Sequence, residues 1–240
     1  MTDSRQDQGG HRGIIREILH RSRAFLLLIA MFLQILLSPI GYPDSLLPLI
    51  LRECIVLAAV FMAADTRRHL VIGLSLGIPS FIMLLVSHGT ETPVTDLIAY
   101  LMVLALYLFI IRLMLNRIFY TKVVTVNIIV LGLCTYLLLG QIWMLFYAPL
   151  AAYDPGAFSQ PIVTEGSDAG LTLTYFSYVT LTTLGYGDIS PVSPWARALA
   201  MLEALTGTLF LAVLISRLVG TYRSGSDRER LTKGLGKDPD

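Results

Sequence analysis

The chain has 240 residues, of which 55% are hydrophobic and 15% charged, and its mean hydropathy is +0.68. This composition is too apolar for a water-soluble domain, so it predicts an integral membrane protein. The net charge is only +1 and no nucleic-acid-binding motif is present, so we expect no nucleic-acid partner.

The first 23 residues are polar and basic and lack the small-residue cleavage site of a secretory signal. Their apolar residues fall on one helical face, opposite the arginines, and are Ile14, Ile15, Ile18 and Leu19. We expect residues 1–23 to be a cytoplasmic segment that contains an interfacial helix. A solvated tail is the alternative.

Six later segments are apolar, and each is near the roughly 20 residues that a membrane-spanning helix needs. In chain order they are 24–40, 46–64, 70–86, 96–115, 123–147 and 195–218. The stretch between the last two is predicted to enter the membrane as a re-entrant hairpin. The fold class is therefore an all-α membrane protein with six transmembrane helices and one re-entrant segment.

Lysine and arginine flank alternate ends of these spans. They precede the first span, follow the second, surround the link between the fourth and fifth, and end the chain. Cytoplasmic flanks carry the basic excess, so both termini are predicted to be cytoplasmic in a multi-pass protein of the plasma or inner membrane. Membrane lipids are the expected surroundings, with anionic inner-leaflet lipids near the basic flanks.

The most informative string lies between the last two spans and reads Thr183, Leu184, Gly185, Tyr186, Gly187 and Asp188. A dehydrated cation needs rings of oxygens in place of its water, and the backbone supplies them where consecutive carbonyls face one side. Alternate glycines permit that backbone, because they enter regions that a Cβ forbids. The string alone could be a surface turn, but here two apolar spans flank it.

The string resembles the selectivity filter of tetrameric potassium channels, whose loop reads T-V-G-Y-G. The specific motifs run from 175 to 207, and the rest of 122–221 matches by hydropathy alone. The resemblance implies that K+, the permeant ion, is held at Thr183, Leu184, Gly185 and Tyr186. No other cofactor is expected.

One chain carries one such string, whereas a pore of carbonyl rings needs four, so we expect a homotetramer. Leu184 stands where the family has valine and enlarges the side chain behind the filter. The segment 171–182 is about 18 Å long as a helix, enough to reach halfway into the hydrocarbon, and matches the family's pore helix.

The resemblance also assigns filter-supporting residues. Tyr175 and Phe176 match the aromatic pair that braces the filter, and we expect both to be buried, although simple lipid or core packing is the alternative. Asp188 is expected to accept a hydrogen bond from Tyr175, and Thr182 completes the supporting set. Val179 occupies the position where one family variant has a buried glutamate.

The last span resembles the family's inner helix. Gly207 matches the hinge glycine, and a packing glycine is an equally open interpretation. Thr208, Leu211 and Ile215 match cavity-facing positions, and Ile215 with Val219 is expected to narrow the inner mouth.

Glu203 is the one acidic residue within this span. An ionised side chain in a membrane is costly, which indicates a functional buried charge. We expect a hydrogen bond to the pore helix. A cavity-facing cation site and neutral packing after protonation are the alternatives.

Residues 150–170 are rich in Pro, Gly, Ser and acids and are interpreted as an extracellular turret. Asp154, Glu165 and Asp168 could concentrate cations at the mouth, but a merely solvated loop is the favoured interpretation.

Four spans before a pore module resemble the layout of voltage-gated channels. The fourth span lacks their repeated basic residues, because it contains only Arg112, with Arg117 following at its inner end. We therefore expect a sensor-like scaffold with weak or absent voltage dependence. Arg52 and Glu53 are adjacent within the second span, and we expect them to have separate partners. Cys54 and Cys134 are expected to pack without a disulfide.

The sequence thus divides into a cytoplasmic segment (1–23), a four-helix sensor-like domain (24–121), a pore domain (122–221) and a short cytoplasmic tail (222–240). Two alternatives to a potassium-selective channel stay open: a nonselective cation channel and a silent subunit of a hetero-tetramer. No enzyme activity is expected, because His69 and His88 lie at span ends without a catalytic constellation.

Overall fold

A computed structural model describes residues 24–39, 47–64, 66–90, 92–121, 125–160, 162 and 168–235. Its helices are α1 (Ala24–Leu37), α2 (Leu47–Ala63), α3 (Arg67–Thr90), α4 (Pro93–Tyr120), α5 (Val126–Tyr153), α6 (Asp168–Leu181) and α7 (Pro194–Leu235). Over these ranges the only extended pairing is a single bridge between Phe158 and Pro191. The all-α prediction is confirmed for this part of the chain. The predicted interfacial helix within 1–23 lies outside the described residues.

Four segments are long and apolar enough to cross a membrane. They are Arg67–Ser87, Val94–Tyr120, Val126–Tyr153 and Pro194–Val219. The first two predicted spans correspond to α1 and α2, which are shorter apolar helices within the described residues. The chain is therefore a membrane protein with at least four candidate spans, and the count of six stays a prediction.

Helix α5 is the centre of the molecule. It packs against α4, which precedes it in the chain, and against α6 and α7, which follow it. It is apolar on all sides, as a helix surrounded by others must be, and 72% of its span is buried. Only 17% of the α7 span is buried, so most of this span faces away from the rest of the chain.

Helices α5, α6 and α7 approach each other closely at glycines. A Cβ added at Gly140 on α5 would lie 2.4 Å from Cε1 of Tyr178 on α6. A Cβ added at Gly207 on α7 would lie 2.2 Å from the carbonyl oxygen of Leu181. Small residues allow helix backbones to come together in this way. The structure therefore supports the packing interpretation of Gly207.

Helix α7 is longer than its predicted span. It continues without a break to Leu235, through most of the segment predicted as a separate tail. Between 223 and 235 that segment contains Arg, Leu and Lys, which are good helix formers in water as well as in a membrane.

The expectation that Arg52 and Glu53 have separate partners is wrong. Arg52 Nε lies 3.6 Å from Glu53 Oε1, and the Glu53 side chain is fully buried. An arginine side chain is long enough to fold back along its own helix, and a charge in apolar surroundings needs a counter-charge. Both cysteines are free, but only Cys134 is buried, so the packing prediction is wrong for Cys54.

The C-terminal end of α4 is joined to α7 by Arg217. Its guanidinium donates hydrogen bonds to the carbonyl oxygens of Phe119 and Thr121, both at 2.5 Å. It also lies over the Phe119 ring, 5.7 Å from the centroid. Helix α4 is thus attached to α7 within one chain.

We predict that Gly207→Ala destabilises the protein by about 1–3 kcal/mol, because the new methyl group overlaps the Leu181 carbonyl on a backbone that cannot move freely. Gly170→Ala is the matched control, since Gly170 is also helical but has nothing within 4 Å of an added Cβ. Thermal unfolding in detergent measures both. Equal unfolding temperatures for the two variants would show that the α6–α7 contact is looser than described.

Candidate functional site

The loop after α6 has an unusual backbone. Positive φ angles occur at every second residue, with Thr183 at 57°, Gly185 at 57° and Gly187 at 82°. Alternation of left-handed with ordinary backbone angles turns successive peptide groups toward the same side of the chain. The two glycines accept this at little cost.

The positive φ of Thr183 is not predicted from the sequence. A β-branched residue in the left-handed region is a genuine outlier, at a cost of about 1–3 kcal/mol. Such strain persists only where the surroundings impose it. Here the preceding turn does so, because the N–H groups of Leu184 and Gly185 both donate to the carbonyl of Val179, at 3.0 and 3.3 Å.

The loop lies on an open side of the chain. Every residue from 182 to 188 is exposed, including Leu184 at 55% and Tyr186 at 68%. An added Cβ at Gly185 or Gly187 would meet nothing within 4 Å. The Tyr186 ring is therefore not packed against the rest of its own chain.

The C-terminal end of the loop is anchored by Tyr175. Its hydroxyl donates to Asp188 Oδ2 at 2.7 Å, which confirms the predicted bond. This hydrogen bond holds the pKa of the Asp188 carboxyl below its usual value. Phe176 is 3% exposed, as predicted, whereas Tyr175 is 38% exposed, so its predicted burial is wrong within the protomer. Tyr175 is exposed because its ring lies on the open side of α6, where its hydroxyl contacts Asp188.

Residues 157–160 support the strand-like segment that follows the loop. Ser159 N–H donates to the Ser190 carbonyl at 2.8 Å, and the Gln160 amide donates to the Asp188 carbonyl at 3.0 Å. Ala157 and Phe158 are buried. The interpretation of residues 150–170 as a solvated loop is therefore wrong for Ala157 and Phe158. Glu165 and the side chain of Asp168 lie outside the described part.

An aromatic cluster packs behind α6. Phe176 lies edge-on to Tyr147 of α5 and to Phe158, with ring centroids 5.0 and 5.2 Å apart. Tyr147 and Phe158 also meet edge-on at 5.9 Å. Sequence reasoning missed these two partners, because nothing in local spacing indicates which distant ring will meet Phe176.

Helix α6 is attached to α5 by four side-chain hydrogen bonds. Two involve Tyr178 in the last turn of α6, which donates to the Leu137 carbonyl at 2.8 Å and accepts from the Gln141 amide at 3.2 Å. The other two join Ser177 Oγ to the Gly140 carbonyl at 2.7 Å and Tyr136 to the Leu181 carbonyl at 3.1 Å. The last of these holds the end of α6 from which the loop departs.

Glu203 of α7 completes this support. Its Oε1 lies 2.5 Å from Ser177 Oγ of α6, and Tyr147 donates to its Oε2 at 2.6 Å. The predicted hydrogen bond to the pore helix is confirmed. The side chain is 0% exposed, which rules out the alternative in which Glu203 faces an open cavity.

The predicted cavity residues share one property. All of them are exposed along α7, and they are Thr208, Leu211, Ile215 and Val219. Thr182 is exposed as well, and its hydroxyl donates to the Tyr178 carbonyl at 2.7 Å. This open stripe of α7 and the open loop are available to something outside the protomer.

We predict that Tyr175→Phe raises the pKa of Asp188 toward its usual value, since the variant lacks the hydroxyl that stabilises the carboxylate. In the wild type this stabilisation is complete above the ordinary carboxyl pKa and is lost as pH falls through the lowered value. Carboxyl-carbon NMR titration of labelled Asp188 measures both proteins. Tyr153→Phe, at a tyrosine that is 90% exposed, is the control and should leave the titration unchanged. An unshifted Tyr175→Phe titration would disprove the assignment.

Comparison with known proteins identifies the part of the chain that carries this site. Residues 133–224 match the family model described as "Ion channel". Two-pore potassium channel 5 of Arabidopsis thaliana is 47% identical over 45 residues, which cover 19% of this chain and 11% of the relative. Two-pore potassium channel 4 of the same plant is 32% identical over 85 residues, or 35% of this chain and 30% of the relative.

A bacterial relative matches as well. The inward rectifier potassium channel Kirbac3.1 of Paramagnetospirillum magnetotacticum is 44% identical over 48 residues, which cover 20% of this chain and 16% of the relative. The chain spans less than a third of the length of the first curated relatives that it matches. The matching family is one of ion channels rather than enzymes. The resemblance noted in the sequence is confirmed for this segment: residues 133–224 match a family of ion channels, and the relatives that match are potassium channels.

Proposed function

We propose that this chain is one protomer of a potassium-selective channel, in which K+ passes passively through the loop at residues 183–187. The observation that carries the proposal is the alternating left-handed backbone at Thr183, Gly185 and Gly187. Peptide carbonyls turned to one side can replace the water of a dehydrated cation. The site residues for K+ are then the carbonyls of Thr183, Leu184, Gly185 and Tyr186.

A single strand of carbonyls cannot surround an ion, so the proposal includes four copies around an axis. The exposure of Leu184 and Tyr186 and the low burial of α7 leave surfaces that neighbouring copies would cover. Thr208, Leu211 and Ile215 would line the cavity below the loop, with Val219 at its inner mouth. The C-terminal end of α6, which carries a partial negative charge, would face that cavity and stabilise a cation there.

We further propose six crossings with both termini in the cytoplasm and the loop opening outward. Charge placement supports this orientation, because basic residues lie at the start of α3, which follows α2, and in the last turn of α4. The domain boundaries proposed from the sequence are retained, with residues 24–121 as the sensor-like part and 122–221 as the pore. Anionic lipids of the inner leaflet are the proposed surroundings of the basic ends.

Weak or absent voltage dependence follows from the position of the charges. Moving one charge across the whole membrane field supplies about 2.3 kcal/mol per 100 mV. Arg117 lies in the last turn of α4, where it donates to the Met62 carbonyl at the end of α2, at 3.3 Å. Arg52 is paired with Glu53, so the pair moves no net charge.

Potassium flux into liposomes that contain the purified protein tests the proposed pathway. We expect K+ to enter and Na+ to be largely excluded. In Gly185→Ala the added Cβ has space but the φ of 57° strains any L-residue, by about 1–2 kcal/mol in each copy. That is enough for a drop in flux of about tenfold or more.

Gly170→Ala is again the control, since it adds the same methyl group to α6 where nothing lies within 4 Å. It should conduct as the wild type does. Equal Na+ and K+ flux, or undiminished flux in Gly185→Ala, would contradict the proposal.

Voltage steps on reconstituted protein test the gating part. We expect open probability to change shallowly with voltage, with an equivalent gating charge of about one or less per protomer, because no described basic residue of α4 lies in its outer half. A steep activation curve that carries several charges per protomer would refute this part alone and leave the proposed selectivity untouched.

A further inference from the structure

If Glu203 were ionised, the hydrogen bonds around it would need one more hydrogen than the neighbouring groups supply. Ser177 Oγ lies between two oxygens, 2.7 Å from the Gly140 carbonyl and 2.5 Å from Glu203 Oε1. Both are hydrogen-bond distances, and each therefore needs a hydrogen between the two oxygens. A serine hydroxyl has only one hydrogen, and a carbonyl has none.

The missing hydrogen is best placed on Glu203. If Ser177 donates to Gly140, then Oε1 must carry a hydrogen and donate to Ser177. If Glu203 is ionised instead, Ser177 can donate its one hydrogen either to the Gly140 carbonyl or to Oε1. The Ser177 oxygen then faces the other acceptor with no hydrogen between the two atoms. The second carboxyl oxygen is already engaged, because Tyr147 donates its own hydrogen to Oε2 at 2.6 Å.

The surroundings also favour a neutral acid. Within the described part of the chain, the groups that face Glu203 are Tyr147 and Tyr136 of α5 and Ser177 of α6, none of them a cation. The side chain is fully buried. A buried carboxylate without a counter-charge is costly, whereas a neutral carboxylic acid with both oxygens hydrogen-bonded is not.

We propose that Glu203 is a proton-binding site whose neutral form connects α7 to α6 and α5, and that loss of this proton reduces conduction through the loop. In the neutral form the hydrogen bonds run in one direction, from Glu203 to Ser177 and from Ser177 to the Gly140 carbonyl. At alkaline pH the O–H bond of the carboxyl breaks, the proton goes to water or hydroxide, and a negative charge stays on Glu203.

The consequence is local. Ser177 then turns toward the carboxylate and leaves the Gly140 carbonyl, so one of the bonds that hold α6 to α5 is lost. Ser177 and Tyr178 are neighbours on α6, and the strained turn at Thr183 begins less than two helical turns later. A looser α6 no longer imposes that strain, so flux falls as pH rises. The effect on flux rests on the proposed function, whereas the proton on Glu203 does not.

Glu203→Gln tests the site, because a neutral amide can donate to Ser177 and accept from Tyr147 as the protonated acid does. We expect wild-type flux to fall by at least about tenfold for each pH unit beyond the point where the proton is lost, because each of the four copies carries the site. Glu203→Gln should keep its flux over the same range. Asp154→Asn, an acidic residue on the outer side, is the control and should retain the wild-type pH dependence. The proposed effect of the Glu203 proton on conduction would be overturned if wild-type flux did not depend on pH. It would also be overturned if Glu203→Gln flux declined with pH as wild-type flux does.

Infrared spectroscopy of the protein in lipid detects the protonated carboxyl directly, so this test does not depend on K+ flux. The wild type at neutral pH should show a protonated-carboxyl band that Glu203→Gln lacks and that disappears at alkaline pH. Identical spectra for the two proteins in this region would overturn the proton assignment. If neither protein conducts K+ but the band difference is present, the proposed function fails and the proton-binding site stands.

Discussion

The attachment of α6 between α5 and α7 is the constraint on which the rest of the structure depends. Gly140 and Gly207 have no side chains, and a Cβ at either position would hold the helices apart. Polar contacts then fill the narrow spaces, with Tyr178 and Ser177 bonded to α5 and Glu203 bonded to α6. Because these groups are buried in a membrane protein, leaving any of them unpaired would cost more than in water.

This attachment explains how the loop can hold a strained backbone. A threonine at a positive φ is unfavourable by itself, and it persists because the end of α6 cannot move to relieve it. The Tyr136 bond to the Leu181 carbonyl fixes the inner end, and the Tyr175 bond to Asp188 fixes the outer end. In the proposed channel, the carbonyls of this loop are therefore held in place before an ion arrives.

Local signals in the sequence predicted much of this, and long-range contacts were the part they could not predict. The alternate glycines, the Tyr175–Asp188 bond and the bond from Glu203 to α6 follow from short motifs or from the cost of a buried charge. The partners of Phe176 and the support from residues 157–160 depend on segments brought together only by the fold. The Arg52–Glu53 pair was mispredicted because helix geometry constrains Cβ positions rather than the end of an arginine.

The central claim is that peptide carbonyls of residues 183–187 from several copies of the chain surround K+. A cryo-electron microscopy map of the protein in lipid with K+ tests it most directly. The account predicts four copies around an axis, with ion density between facing carbonyls of this loop and α7 around the cavity below it. A monomer or dimer, or a map in which the loop faces lipid with no ion density beside its carbonyls, would contradict it.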